Sequence, residues 1–255
     1  SGATVVDESG NVVWADENLN TSSELFNGSG WEYNTCNLTT GISDPLGGSG
    51  ATKIAAKTTT ANHRLARTGE TVIAGVLYNM SVYVKADEDT SFQMSSSSSP
   101  FGGLTYVNFD LTGGGSVGTA GSGALSPTIT DEGDGWFRCS YYAIALNNIT
   151  AYGTTVSLNG SNPSASRLPS LLGDGTSGVN VFGAQISRGS DLKPYFPTAG
   201  SAYHAPRITH DSDGNALGYR HEPQATNLIT LSTPGRSASP WWGETNITFT
   251  PNASV

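Results

Sequence analysis

Cysteine is nearly missing from this sequence, with two in 255 residues, Cys36 and Cys139. Two thiols cannot build the cross-linked framework of a small secreted domain. They can pair once if their strands are neighbours, or stay as buried reduced thiols, the commoner fate of free cysteine. Charge is also scarce. Asp, Glu, Lys and Arg make up 13% of the chain, and the 21 acids outnumber the 12 bases for a net charge of −9. Such a surface repels phosphates, so neither nucleic acid nor an anionic membrane is an expected partner. No apolar run approaches the roughly 20 residues of a membrane-spanning helix. The four histidines show no ligand spacing around the cysteines, and no Gly-rich stretch joins a strand to a helix. Neither a metal nor a cofactor is therefore expected. The chain opens on Ser1-Gly2, without an initiator Met or a signal peptide. This reads as a fragment of a longer polypeptide, or as a processed or engineered start.

Glycine is plentiful at 32, as are Ser, Thr and Asn, while the usual helix formers are few. Apolar residues come in short groups between Gly, Ser, Asn and Asp. That pattern predicts many short strands joined by turns, an all-β chain. Residues 1–16 read as a β-hairpin connector, with Asp7-Glu-Ser-Gly10 as its turn. Residues 17–198 form the main domain. Its clearest strand is Tyr78–Ala86, where Tyr78, Met80, Val82, Val84 and Ala86 share one face and Asn79, Ser81, Tyr83 and Lys85 the other. Phe92–Met94, running into a loop Ser95–Pro100, and Tyr106–Leu111 continue the pattern. Thr71–Ala74, Phe137–Ala145, Thr154–Leu158 and Val179–Ile186 are further strands, and 159–178 reads as an exposed loop.

In DEGDGWFRCSYYAIA, residues 131–145, a polar turn enters a strand. Phe137, Cys139 and Tyr141 face a core, and Trp136, Arg138, Ser140 and Tyr142 face away. Trp136 either caps the core edge or stacks on a ligand, and burial is the commoner use of so large an aromatic. Residues 199–226 carry a second hairpin with its turn at Asp211–Asn215. Asp211-x-Asp213-x-Asn215 has the look of a calcium loop but lacks the later Glu, so a plain turn is favoured. Asn18-Leu19, Trp31 and Asn37-Leu-Thr39 are echoed by Asn227-Leu228, Trp241-Trp242 and Asn246-Ile-Thr248. Residues 227–255 are accordingly expected to start a second copy of the main domain, cut off at Val255.

Tyr83-Val-Lys-Ala86, Asp134-Gly-Trp-Phe-Arg-Cys139, Val181-Phe-Gly-Ala-Gln185 with Gly189-Ser190, and Tyr195-Phe-Pro-Thr198 occur in that order. As a set they resemble the concanavalin-like jelly-roll domains of tailed-bacteriophage virion proteins, carbohydrate-binding-like modules and head or tail fibre domains. Pro206–Asp211 and Glu222–Leu228 resemble the connector that precedes such modules. Insertions near 96–104 and 160–178 depart from the pattern. The resemblance implies an antiparallel two-sheet jelly-roll sandwich, with β-hairpin connectors on either side. It implies a virion surface protein assembled in the bacterial cytoplasm, partnered by other phage virion subunits and commonly homotrimeric.

No catalytic set is expected. Asp87, Glu88 and Asp89, and Asp131, Glu132 and Asp134, read as solvated turn acids, whereas a glycosidase needs two carboxylates facing across a cleft. A polysaccharide-degrading enzyme ranks third, since fold analogy alone carries it. A virion structural module ranks first, and an adhesin for host surface glycan second. For the glycan the sequence nominates Tyr83, Lys85, Gln93, Tyr106, Asn108 and Arg138. These are polar-face strand residues that would converge if their sheet were concave, and otherwise form an ordinary solvated or subunit-facing surface.

Overall fold

The structure is a computed structural model that describes residues 4–219 except 152 and 212. Residues 220–255, including the expected second copy, lie outside the described residues. Twelve strands build two six-stranded antiparallel sheets. They are β1 (Trp31–Asn34), β2 (Cys36–Ile42), β3 (Ala51–Ala56), β4 (Arg64–Arg67), β5 (Leu77–Ala86) and β6 (Ser91–Ser96). After these come β7 (Tyr106–Asp110), β8 (Ser116–Ala120), β9 (Leu125–Gly133), β10 (Trp136–Ile144), β11 (Thr154–Leu158) and β12 (Gly178–Arg188). The first sheet runs β9-β10-β5-β12-β3-β2 and the second β8-β7-β6-β11-β4-β1. Packed face to face, they form a jelly-roll sandwich. The one helix among the described residues, α1 (Ser98–Phe101), lies in the stretch between β6 and β7.

Alternation fixes what meets between the layers. In the first sheet, Val82 pairs with Cys139 and Val84 with Phe137. In the second, Phe92 pairs with Phe109 and Met94 with Val107. All eight belong to one buried cluster. The Phe92 and Phe109 rings stack 5.5 Å apart. Tyr141 brings a hydroxyl into this apolar layer, and Ser96 Oγ of the opposite sheet meets it at 2.6 Å. Burial of both groups is thereby compensated. Cys36 and Cys139 are free and buried. They lie on β2 and β10, with β5, β12 and β3 between them.

The outer faces differ from the sequence expectation. Asn79, Ser81 and Tyr83 on β5, and Gln93 and Asn108 on the second sheet, are all buried rather than wet. Each outer face is covered by a strap of chain. Over the first sheet runs 193–198. Gln185 donates from Nε2 to Pro194 O (3.0 Å) and accepts at Oε1 from Phe196 N (2.9 Å). Over the second sheet runs 165–168, inside the segment expected to be an exposed loop. There Gln93 donates from Nε2 to Ser166 O (3.0 Å) and accepts at Oε1 from Leu168 N (2.7 Å). In both cases one glutamine amide binds the strap's backbone on either side of a single residue, as a neighbouring strand would. Close approach calls for glycine at several places, Gly118 and Gly183 among them. A Cβ on Gly118 of β8 would strike Pro163 O, and Thr119 N donates to that same oxygen at 2.8 Å. Gly183, at φ +59°, sits at a β-bulge where the Tyr83 and Tyr195 rings occupy the space a Cβ would need.

The hairpins Thr4–Val6/Val12–Trp14 and Ile208–His210/Ala216–Tyr219 have the same turn. Asp7 Oδ1 accepts from the backbone N–H of Ser9 and Asn11, and Asp211 Oδ1 from those of Asp213 and Asn215. The calcium-like spacing at 211–215 is thus an Asp-closed turn.

Candidate functional site

The six sequence-nominated residues do not converge. Tyr83, Lys85 and Arg138 stand on the outer face of the first sheet, while Gln93, Tyr106 and Asn108 stand on the outer face of the second. The hydrophobic core lies between the two sets, so no single ligand touches both.

On the first sheet the set is sealed. Ala51, Tyr83, Trp136 and Phe182 form a second small hydrophobic cluster, closed by Ile42 and Tyr195. Arg138 lies over the Tyr83 ring at 5.3 Å, a cation–π contact. It donates from Nη2 to Lys193 O (2.8 Å) and Ser81 Oγ (3.2 Å). Burial lowers its pKa from the ordinary value. Tyr195 binds Glu24 Oε1 at 2.9 Å through its hydroxyl, which ties the strap to the N-terminal segment. Trp136 is therefore a buried packing residue. Lys85, paired in register with Trp136, is half-buried at the rim.

On the second sheet Gln93 and Asn108 are fully engaged with protein. Asn108 Oδ1 accepts from Gln93 Nε2 (3.0 Å) and Asn159 Nδ2 (3.2 Å), and its Nδ2 donates to Ala165 O (2.8 Å) and Thr119 O (3.0 Å). These amides hold the 165–168 strap and leave nothing for a ligand. Tyr106 is half-buried opposite Ser95, beneath Gly121.

Holding the strap creates a site one step away. Because Gln93 fixes the backbone on both sides of Arg167, the arginine side chain is projected along the sheet. Its Nη2 donates to Ser96 O at 2.7 Å. A groove of about 290 Å³ opens there, lined by Arg64 and Ala66 of β4, Thr155 of β11, Ser95–Ser98 at the end of β6, and Arg167 and Leu168. Ser95 is 1% exposed, faces away from the core-facing Met94, and its Oγ has no hydrogen-bond partner. Arg167 Nε is likewise buried without a partner. Arg64 donates from Nη1 to Asn62 Oδ1 at 3.1 Å. Among the described residues, no carboxylate lines the groove.

Sequence reasoning missed Arg64, Ser95, Thr155 and Arg167. Ser95 and Arg167 fell in stretches read as loop. The usable signal was the alternation continuing from Gln93 to Ser95, which puts a serine hydroxyl on the outer face. Two wider clefts lie beside the hairpins around Trp14. Trp14 lies under Arg188 at 5.5 Å, and Arg188 is paired with the buried Glu17 at 2.7 Å. That arrangement is a packing seam. The acids read as solvated turn residues are partly otherwise: Asp131 and Glu132 lie within β9, exposed, Asp89 is buried, and Asp87 and Glu88 stay in their turn, bridged by Lys53 at 2.9 and 2.6 Å.

No protein-family model matches the chain, and no curated protein matches it. Among solved structures it is similar to the CBM22-1–GH10 modules of the Clostridium thermocellum N-terminal endo-1,4-beta-D-xylanase 10B, complexed with xylohexaose. Identity is 15%, over 69% of this chain and 28% of that one, with a TM-score of 0.36. The match spans less than a third of the xylanase chain, and at this TM-score it bears on neither the site nor its ligand.

Proposed function

We propose that this chain is a non-catalytic glycan-binding module, and that the groove beneath Arg167 is its site. One observation carries the reading: Ser95 and Arg167 line the groove, and each carries a buried polar atom, Oγ and Nε, that lacks a protein partner. An unsatisfied buried polar group costs about 1–3 kcal/mol, so a ligand rich in hydroxyls is favoured there. Serine and threonine hydroxyls, guanidinium groups and the apolar Ala66 and Leu168 suit the mixed polar and apolar surface of a sugar. Among its described residues the lining offers no pair of carboxylates, the groups a glycosidase places across its cleft. Thr155→Trp should fill the groove. Retention of the wild-type protein on immobilised host-envelope polysaccharide or a glycan array, lost in Thr155→Trp with an unchanged circular dichroism spectrum, is the expected result. Equal retention of the two proteins would rule the groove out.

The setting we propose is the surface of a phage virion, as part of a head or tail fibre, spike or decoration protein that assembles with other virion subunits. The motif resemblance supports this, and so does the recurrence of one Asp-closed hairpin before and after the sandwich in the sequence, as a repeating connector would have. Two buried free thiols fit assembly in a reducing cytoplasm. Light scattering of the full-length chain should report a concentration-insensitive oligomer, with a trimer favoured. A monodisperse monomer would count against the fibre.

A further inference from the structure

We propose that the groove selects saccharides bearing a carboxylate, gripped between Arg64 and Arg167. This rests on the glycan reading above and names the chemistry within it.

Three observations lead there. First, neither arginine forms an ion pair among the described residues, whereas the buried Arg67 and Arg188 are each paired with a glutamate. In a chain of 21 acids and 12 bases, two arginines on one groove with no acid among its described lining residues are conspicuous. Second, the two charges act on each other. Arg167's pKa is lowered from its ordinary value, first by burial and also by the charge of Arg64. An anion seated between them would relieve that repulsion. Third, both side chains are held before any ligand arrives. Arg64 is tethered to Asn62, Arg167 to the Ser96 carbonyl, and the backbone on both sides of Arg167 to Gln93. A pre-positioned guanidinium offers a planar fork of N–H donors that matches the two oxygens of a carboxylate, at a small ordering cost.

The test starts from a glycan array holding uronate-containing, sialylated, sulfated and neutral oligosaccharides. The best binder is then compared by calorimetry with its carboxyl-reduced form, in which the acid has become an alcohol. The strongest binders should carry a carboxylate. Reducing it should weaken binding at least about tenfold, the loss of one charge-assisted contact. Arg64→Gln and Arg167→Gln should each do the same with the acidic ligand and change little with the reduced one. Affinity for the acid should fall with added salt. The reduced-ligand arm uses unaltered protein, so a misfolded variant cannot imitate the result. If the best binder is neutral or only sulfated, and Thr155→Trp still abolishes its binding, acid selection is wrong while the glycan reading stands. If no glycan binds, or binding ignores Thr155→Trp, both fall.

Discussion

Glu70 is 5% exposed and sits beside Arg67, whose Nε lies 2.9 Å from its Oε1. That guanidinium is already engaged, through Nε with Asn20 Oδ1 (2.8 Å), through Nη2 with Thr21 Oγ1 (2.6 Å) and through Nη1 with Gly30 O. Burial outweighs the attraction of Arg67 and pushes the Glu70 carboxyl up to about 7. Between the ordinary value of 4.5 and 7, the folded chain keeps a proton that the unfolded chain has lost. Stability therefore falls as pH rises through that window and levels off above it, by roughly 3 kcal/mol at full effect. Thermal unfolding should show a higher Tm at pH 5 than at pH 8, and Glu70→Gln should remove most of the difference. An unchanged slope in the variant would assign the effect elsewhere. At this scale the sequence was legible in one respect. Alternation correctly turned Tyr83, Lys85, Gln93, Tyr106, Asn108 and Arg138 away from the core. It could not show that they divide between two sheets, because period two fixes a side chain's face and carries nothing about its sheet or its cover.

Strongly alternating strands were readable almost to their ends. Tyr78–Ala86 became Leu77–Ala86, Phe137–Ala145 became Trp136–Ile144, and Thr154–Leu158 is unchanged. The four edge strands β1, β2, β8 and β9, mostly exposed, were not, and neither were the largely buried β3 and β4 beside two of them. Edge strands bury too little to need a regular pattern. The strap at 165–168 was invisible for another reason. Its attachment is made by its own backbone, and backbone groups leave no mark in a list of side chains. Gln93→Ala removes that attachment on both sides of Arg167. Hydrogen exchange in 164–169 should rise while β5 and β10 stay protected, and ligand affinity should drop about tenfold through the displaced Arg167. Unchanged exchange would mean that the Asn108 contacts suffice to hold the strap.

Across the whole molecule, sheet order decides the fate of the thiols. Four strand spacings of about 4.8 Å separate β10 from β2, about 19 Å in all, where a disulfide needs Cα atoms within roughly 7 Å. Burial pushes the Cys36 thiol up to about 12 and raises Cys139 as well. Reductant should leave Tm unchanged, and a thiol reagent should modify the native protein only as it unfolds. A reductant-sensitive Tm would contradict the strand order itself. The two glutamine clamps bear on what this scaffold can tolerate. Gln93 and Gln185 grip carbonyl groups that every residue possesses and N–H groups that every residue but proline possesses, so the clasp is indifferent to most letters of the segment it fastens. Foreign peptides spliced in place of 165–168 should dock by the same two bonds, which would make the sandwich a chassis whose recognition surface can diverge, or be redesigned, without renegotiating its interior.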